Sequence, residues 1–121
     1  MVAESIIETV RKYLARVTEA GIDVESGVIF GSYARGEQSA ESDLDVFVVS
    51  PDFDGRYEHR LIDLLWGLRR VVDSRIEPHA VGSRQFREDE TSPLVGIARR
   101  DGVLVPLTEP AAVHEKRADY G

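Results

Sequence analysis

The stretch Gly27–Ser50, GVIFGSYARGEQSAESDLDVFVVS, contains two apolar runs that flank a polar loop. The second run begins directly after Asp43, Leu44 and Asp45. Aspartate is depleted in β-strands. Successive strand residues point to opposite faces, so the two carboxylates would share one face with Cα atoms roughly 6.5–7 Å apart. Like charges at this spacing repel each other unless a cation lies between them. The pattern therefore predicts a metal site where the second strand begins.

The rest of the chain alternates helical and extended patterns around this stretch. The expected helices cover 4–19, 57–71 and 93–101, and the expected strands cover 28–30, 46–49, 74–81 and 103–105. Pro78 inside the third strand indicates a sheet edge or a bulge. This order predicts an α/β domain with a small mixed sheet of about four strands. We expect one domain over 1–107 and a polar tail over 108–121.

Composition narrows the class of protein. A length of 121 residues is typical of one domain. The absence of cysteine excludes disulfides and thiolate metal sites. No apolar run approaches the ~20 residues that span a bilayer, and the first residues lack a signal-peptide pattern, so we expect a cytoplasmic protein without a membrane partner. The net charge of −7 argues against nucleic acid as the main partner.

The loop between the first two strands offers groups that suit a phosphate. Gly31 and Ser32 follow the first strand and open a short helical turn. Glycine allows a ligand to approach the backbone closely, and free amides at a helix start suit phosphate oxygens, as does the Ser32 hydroxyl. Arg35 is a further candidate phosphate contact, although an ion pair with Glu37, Glu41 or a site carboxylate is the competing interpretation.

GSYARG followed by SDLDVFVV resembles the minimal nucleotidyltransferases of the DNA polymerase β superfamily. The shared pattern is Gly-Ser, ten residues, then Asp-x-Asp leading into an apolar strand. The resemblance implies a polymerase β-like palm fold, with Gly31 and Ser32 at the triphosphate of a nucleotide. It also implies that Asp43 and Asp45 are catalytic and bind two divalent ions, Mg²⁺ or Mn²⁺.

The resemblance further implies a third carboxylate on a later strand. The segment VVDSRIEPHAV offers Asp73 and Glu77, which have the same strand parity, so alternation cannot choose between them. We predict Glu77 as the third catalytic and metal-binding carboxylate, because it lies within the strand and because RIEPH is similar to a stretch in small members of the superfamily. His79 shares this parity, but a lone histidine is more often structural.

The activity that the resemblance implies is transfer of a nucleoside monophosphate, AMP from ATP, onto an acceptor hydroxyl. Minimal nucleotidyltransferases are often antitoxins paired with HEPN-domain toxins, which they can AMPylate. We therefore expect the acceptor to be presented by a second protein of this type or at a homo-oligomer interface. Two alternatives stay open: a binding module that neutralises a partner by contact with little or no catalysis, and a small-molecule transferase of the antibiotic-modifying kind.

Overall fold

The computed structural model describes residues 2–108, which form a four-stranded mixed sheet covered by helices. The strands are β1 (Ser26–Phe30), β2 (Leu44–Val49), β3 (Ile76–Val81) and β4 (Val103–Pro106), in the spatial order β3-β2-β1-β4. β2 pairs with β3 in parallel and with β1 antiparallel, and β1 pairs antiparallel with β4. This confirms the predicted fold class. The predicted tail covers 108–121, and all of it except Thr108 lies outside the described residues.

Within residues 2–108, five α-helices lie between and beside the strands. They are α1 (Glu4–Glu19), α2 (Ser32–Arg35), α3 (His59–Leu68), α4 (Ser83–Glu88) and α5 (Pro93–Asp101). α1 has the predicted bounds, whereas α3 is shorter than predicted because its last turn tightens into a 3-10 turn over Arg69–Val71. α5 begins as predicted: the Ser92 hydroxyl accepts a hydrogen bond from the Val95 amide, and Pro93 occupies the first turn. No helix within residues 2–108 combines the length and apolarity needed to cross a bilayer.

β2 is buried on both faces, as its continuous apolar run predicts. Leu44, Val46 and Val48 pack into a core shared with α1 and α3. Phe47 and Val49 point to the opposite face, where they pack in a second cluster with residues of α5. This second face is apolar at one end of β2 and becomes polar at Asp45, which is only partly buried. The change from apolar to charged side chains along one face locates the candidate site.

β3 lies at an edge of the sheet, which confirms the expectation from Pro78. The Leu44 amide donates to the Arg75 carbonyl at 2.8 Å, and the Ser50 amide donates to the Val81 carbonyl at 3.1 Å. The odd-numbered residues from Arg75 to Val81 therefore direct their backbone N–H and C=O groups toward β2. Pro78 is one of the even-numbered residues, whose backbone groups face away from β2. The missing N–H group of proline therefore costs the sheet no hydrogen bond.

The neighbouring outward position of β3 is also occupied. The Ile76 amide donates to the Asp73 carbonyl at 3.1 Å, and the Ile76 carbonyl accepts a hydrogen bond from the Arg69 guanidinium at 3.0 Å. Both outward backbone groups of Ile76 are thus satisfied by the chain that leads into the strand.

Candidate active site

The ends of three strands meet at one side of the sheet. In the register of the sheet, the Cα atom of Asp45 lies opposite Phe30 of β1 and opposite Glu77 of β3. Because Asp45 and Glu77 are directly paired on neighbouring strands, their side chains project from the same face of the sheet. The Gly31–Ser32 loop leaves β1 at this same point. Residues separated by more than thirty positions in sequence are thereby brought together around Asp45.

The closest group of metal-ligating side chains here consists of Asp45, Glu77 and His79. One ligand atom from each lies within 4.8 Å of the other two. His79 Nε2 lies 3.4 Å from Asp45 Oδ1, and each of these two side chains is about one quarter exposed (29% and 24%). Carboxylate oxygens and imidazole nitrogen are ordinary ligands of divalent cations in proteins. The donor set therefore fits a divalent cation.

Asp43 lies at the margin of this group. It precedes β2 by one residue and is exposed, and it does not belong to the three side chains whose ligand atoms converge. Its charge nevertheless reaches the group, because it contributes to raising the pKa of Glu77. The prediction that Asp43 ligates a metal stays a prediction.

The pKa of the Glu77 carboxyl is raised above its ordinary value. Burial is the largest cause, followed by a hydrogen bond with Asp45 and by the charges of Asp43 and Asp45, while His79 acts in the opposite direction. Without a cation, the carboxylates disfavour each other's ionised form. A bound cation would instead favour the ionised carboxylates and lower the pKa of Glu77. The binding of a metal ion would therefore release a proton from the cluster.

This raised pKa has a consequence for stability in the absence of metal. A carboxyl that ionises at higher pH in the folded protein stabilises the fold at low pH, and that contribution is lost as pH rises through the raised pKa. We expect Glu77→Gln to raise the melting temperature in chelator by a few degrees at neutral pH and by less near pH 4. Thermal unfolding at several pH values measures this, and a Gln variant less stable than wild type at neutral pH would contradict it.

The backbone of Gly31 lies against the Asp45 carboxylate. Gly31 has φ 78° and ψ −149°, a conformation that is essentially restricted to glycine. A Cβ atom added at Gly31 would lie 2.6 Å from Asp45 Oδ2. Glycine is therefore required here both by the backbone conformation and by the space that the carboxylate occupies.

Ser32 and Arg35 lie on α2, the short helix that Gly31 caps. Ser32 is partly buried at its first residue, and the first amides of a helix lack partners within the helix. Arg35 is about half exposed and its Nε lies 2.9 Å from Glu37 Oε1, which is the competing interpretation stated above. Exposed ion pairs of this kind are weak, so Arg35 remains available to another anion. The nucleotide-binding roles of Gly31, Ser32 and Arg35 stay predictions.

Asp73 is held away from the cluster. Its carboxylate accepts hydrogen bonds from Arg75 Nη2 at 2.6 Å and Arg75 Nε at 3.0 Å. The Arg75 side chain is the main reason that the pKa of Asp73 is lowered. Arg75 Nη1 also donates to the hydroxyl of Tyr33 at 3.1 Å, which ties α2 to the entrance of β3. The structure thus brings Glu77, and not Asp73, to Asp45.

His79 is the residue at this site that the sequence alone did not assign. Its ring packs against Phe30 and Phe47, with ring centroids 5.2 Å and 5.6 Å away, while Nε2 reaches Asp45. The feature of the sequence that could have indicated its role is its position two residues after Glu77, on the same face of the strand. A packing role and a role in the site are both compatible with that signal, so position alone could not separate them.

Comparison with known proteins gives a consistent result. Residues 7–99 match the sequence family described as "Nucleotidyltransferase domain". The chain is 31% identical over 72 residues to the "Putative protein adenylyltransferase MJ1379" of Methanocaldococcus jannaschii, an alignment that covers 60% of this chain and 71% of that protein.

Solved structures show the same fold at low sequence identity. A "toxin-antitoxin with AMP-PNP" superimposes with a TM-score of 0.55 at 18% identity, covering 84% of this chain and 76% of that one. A "putative nucleotidyltransferase" from Sulfolobus solfataricus gives a TM-score of 0.54 at 19% identity, with 81% and 77% covered. At this identity the likeness concerns the fold alone.

Proposed function

Because this chain belongs to the nucleotidyltransferase domain family of the polymerase β-like superfamily, we propose that it transfers AMP from ATP onto a hydroxyl group of a partner protein. The observation that carries the proposal is the in-register pairing of Asp45 with Glu77, beside a glycine whose backbone touches the Asp45 carboxylate. This geometry supports a cation site next to a phosphate site.

Each part of the site has a task in this proposal. The Ser32 hydroxyl and the first amides of α2 donate hydrogen bonds to the triphosphate, which Gly31 allows to approach the backbone. Asp45 and Glu77, with Asp43 at the entrance, would hold two divalent ions. When bound, such ions neutralise charge on the phosphates and make the acceptor hydroxyl more acidic.

The reaction balances without a covalent enzyme intermediate. The acceptor oxygen forms a bond to the α-phosphorus of ATP as the bond between that phosphorus and the bridging oxygen to the β-phosphate breaks. Pyrophosphate leaves, and the Glu77 carboxylate accepts the proton of the acceptor hydroxyl. Catalysis then depends on positioning and charge stabilisation.

The choice of donor and acceptor rests on the similar proteins. One relative carries the name of a protein adenylyltransferase, and one structural neighbour is a toxin–antitoxin complex with an ATP analogue. We therefore propose an antitoxin role in which the acceptor is a toxin, of the HEPN type that the sequence resemblance implies.

The experiment that tests this proposal compares two labels. The purified chain is incubated with the protein that co-purifies with it and with ATP labelled on the α- or the γ-phosphate. We expect label on the partner only from α-labelled ATP, and none after chelation of divalent ions. Label from γ-labelled ATP would identify a kinase instead. A partner that is never labelled, yet is inhibited by the chain, would favour the contact-only binding module.

The phosphate role of Ser32 can be tested separately. We expect Ser32→Ala to weaken binding of a nonhydrolysable ATP analogue by about tenfold to a hundredfold, since hydrogen bonds to charged groups contribute about 1.5–3 kcal/mol and about 1.4 kcal/mol is a factor of ten. Calorimetric titration measures the affinity, and thermal unfolding checks the fold. The matched control is Ser39→Ala, an exposed serine in the same inter-strand loop. Equal affinities in both variants would remove Ser32 from the nucleotide site.

A further inference from the structure

His79 approaches the carboxylate cluster with a nitrogen ligand that Mg²⁺ sites in proteins seldom use. We propose that His79 ligates a divalent ion through Nε2 together with Asp45 and Glu77, and that this mixed nitrogen–oxygen site selects Mn²⁺ over Mg²⁺. The inference rests on the proposed transferase site and adds the identity of the metal to it.

The distances among the three side chains are compatible with one shared ion. Neighbouring ligands of an octahedral ion with bonds of about 2.1 Å lie about 3.0 Å apart, and opposite ligands about 4.2 Å apart. Asp45 Oδ1 and His79 Nε2 are 3.4 Å apart, and the full set of ligand atoms lies within 4.8 Å. Side-chain shifts of less than one ångström would bring all three to a common centre.

The position of the His79 ring is defined by its surroundings. It lies two residues beyond Glu77 on the same face of β3, and its Cα atom lies opposite Phe47. The rings of Phe30 and Phe47, which stack on each other, both pack against it, with an edge-on contact to Phe30. Aromatic packing on the body of the imidazole leaves Nε2 directed toward Asp45, so that little conformational freedom would be lost on binding an ion.

The chemistry of the three ligand atoms determines whether the site prefers Mn²⁺ or Mg²⁺. Mg²⁺ favours oxygen ligands and retains its waters, whereas divalent first-row transition metals accept imidazole nitrogen more readily, with Mn²⁺ the weakest binder of that series. The exposed Asp43 lies outside the converging group, so the third ligand nearest to Asp45 and Glu77 is a nitrogen atom. Replacing His79 by an oxygen donor should therefore weaken Mn²⁺ binding more than Mg²⁺ binding.

The test measures metal binding to the purified full chain without nucleotide. Mn²⁺ is titrated by electron paramagnetic resonance, and Mg²⁺ affinity is obtained by competition. We expect nitrogen hyperfine coupling to bound Mn²⁺ in the wild type and not in His79→Asn, with Mn²⁺ affinity reduced about tenfold or more and Mg²⁺ affinity much less affected. His59→Asn, at an exposed histidine that begins α3, is the matched control. It should keep the nitrogen coupling and the affinities for both metals.

Two results would overturn the inference. One is an absence of nitrogen coupling in the wild type, which would mean that His79 only hydrogen-bonds to Asp45. The other is an equal loss of Mn²⁺ and Mg²⁺ affinity in His79→Asn. Thermal unfolding of His79→Asn, and of His79→Gln as a second variant, checks that the fold is retained.

The outcome also separates this inference from the proposed function. Transfer of α-label without nitrogen coupling keeps the transferase and removes the His79 ligand. Nitrogen coupling without transfer of label keeps the metal site and removes the transferase.

Discussion

Asp45→Asn should lower the rate of AMP transfer by about a thousandfold or more, which corresponds to about 4 kcal/mol of activation free energy. Asp45 is the residue around which the site is arranged: it pairs in register with Glu77, approaches His79 and touches the backbone of Gly31. Asparagine preserves the shape of the side chain but removes the charge that holds a cation. Transfer of α-labelled nucleotide to the partner measures the loss.

Glu77 within β3 and Asp73 before it provide the matched comparison. Glu77→Gln should be nearly as severe as Asp45→Asn, whereas Asp73→Asn should change the rate less than about threefold because Asp73 is engaged by Arg75 outside the cluster. Partner binding, measured in parallel, should persist in all three variants. An inactive Asp73→Asn beside an active Glu77→Gln would show that the third carboxylate is Asp73.

Gly31→Ala should reduce transfer by about a hundredfold, since a displacement of about 1 Å within an active site has effects of this size. The new methyl group would overlap the Asp45 carboxylate, so either the loop or the carboxylate must move. Alanine in the backbone conformation of Gly31 would also add strain of about 1–3 kcal/mol to the folded state. Both the rate and the free energy of unfolding should therefore fall.

Gly36→Ala separates the effect of backbone strain from the effect of overlap with the Asp45 carboxylate. Gly36 ends α2 with φ 72° in the left-handed region, and an added Cβ atom would meet nothing within 4 Å. Alanine there should cost about 1–2 kcal/mol of stability and leave the rate almost unchanged. If Gly36→Ala lowered the rate as much as Gly31→Ala, contact with Asp45 would not be the cause.

Most of the fold could be predicted because its determinants are local. The apolar run after Asp45 marks β2 as covered on both faces, and Ser92 with Pro93 marks the start of α5. The end of α3 was less predictable. The apolar stripe continues past Leu68, but the chain changes there from an α-helical to a 3-10 turn, which the spacing of apolar residues does not distinguish.

The candidate site was predictable in its residue types and less so in its geometry. Asp73 and Glu77 have equal parity, and what separates them is the register of β3 on β2 together with the Arg75 fork that occupies Asp73. Both depend on contacts between distant parts of the chain. The same is true of His79, whose approach to Asp45 becomes visible only when β2 and β3 are placed side by side.

The outer edge of β3 limits how another protein can join this one. An exposed sheet edge is a template for an added strand, which needs unpaired N–H and C=O groups. Here Ile76 has both outward groups bonded within the chain, and Pro78 has no N–H to offer. Strand addition next to the site, whether by a second copy in an aggregate or by a segment of a partner, is therefore disfavoured. At this edge, the proposed protein acceptor would therefore be recognised through side-chain contacts rather than through an added strand.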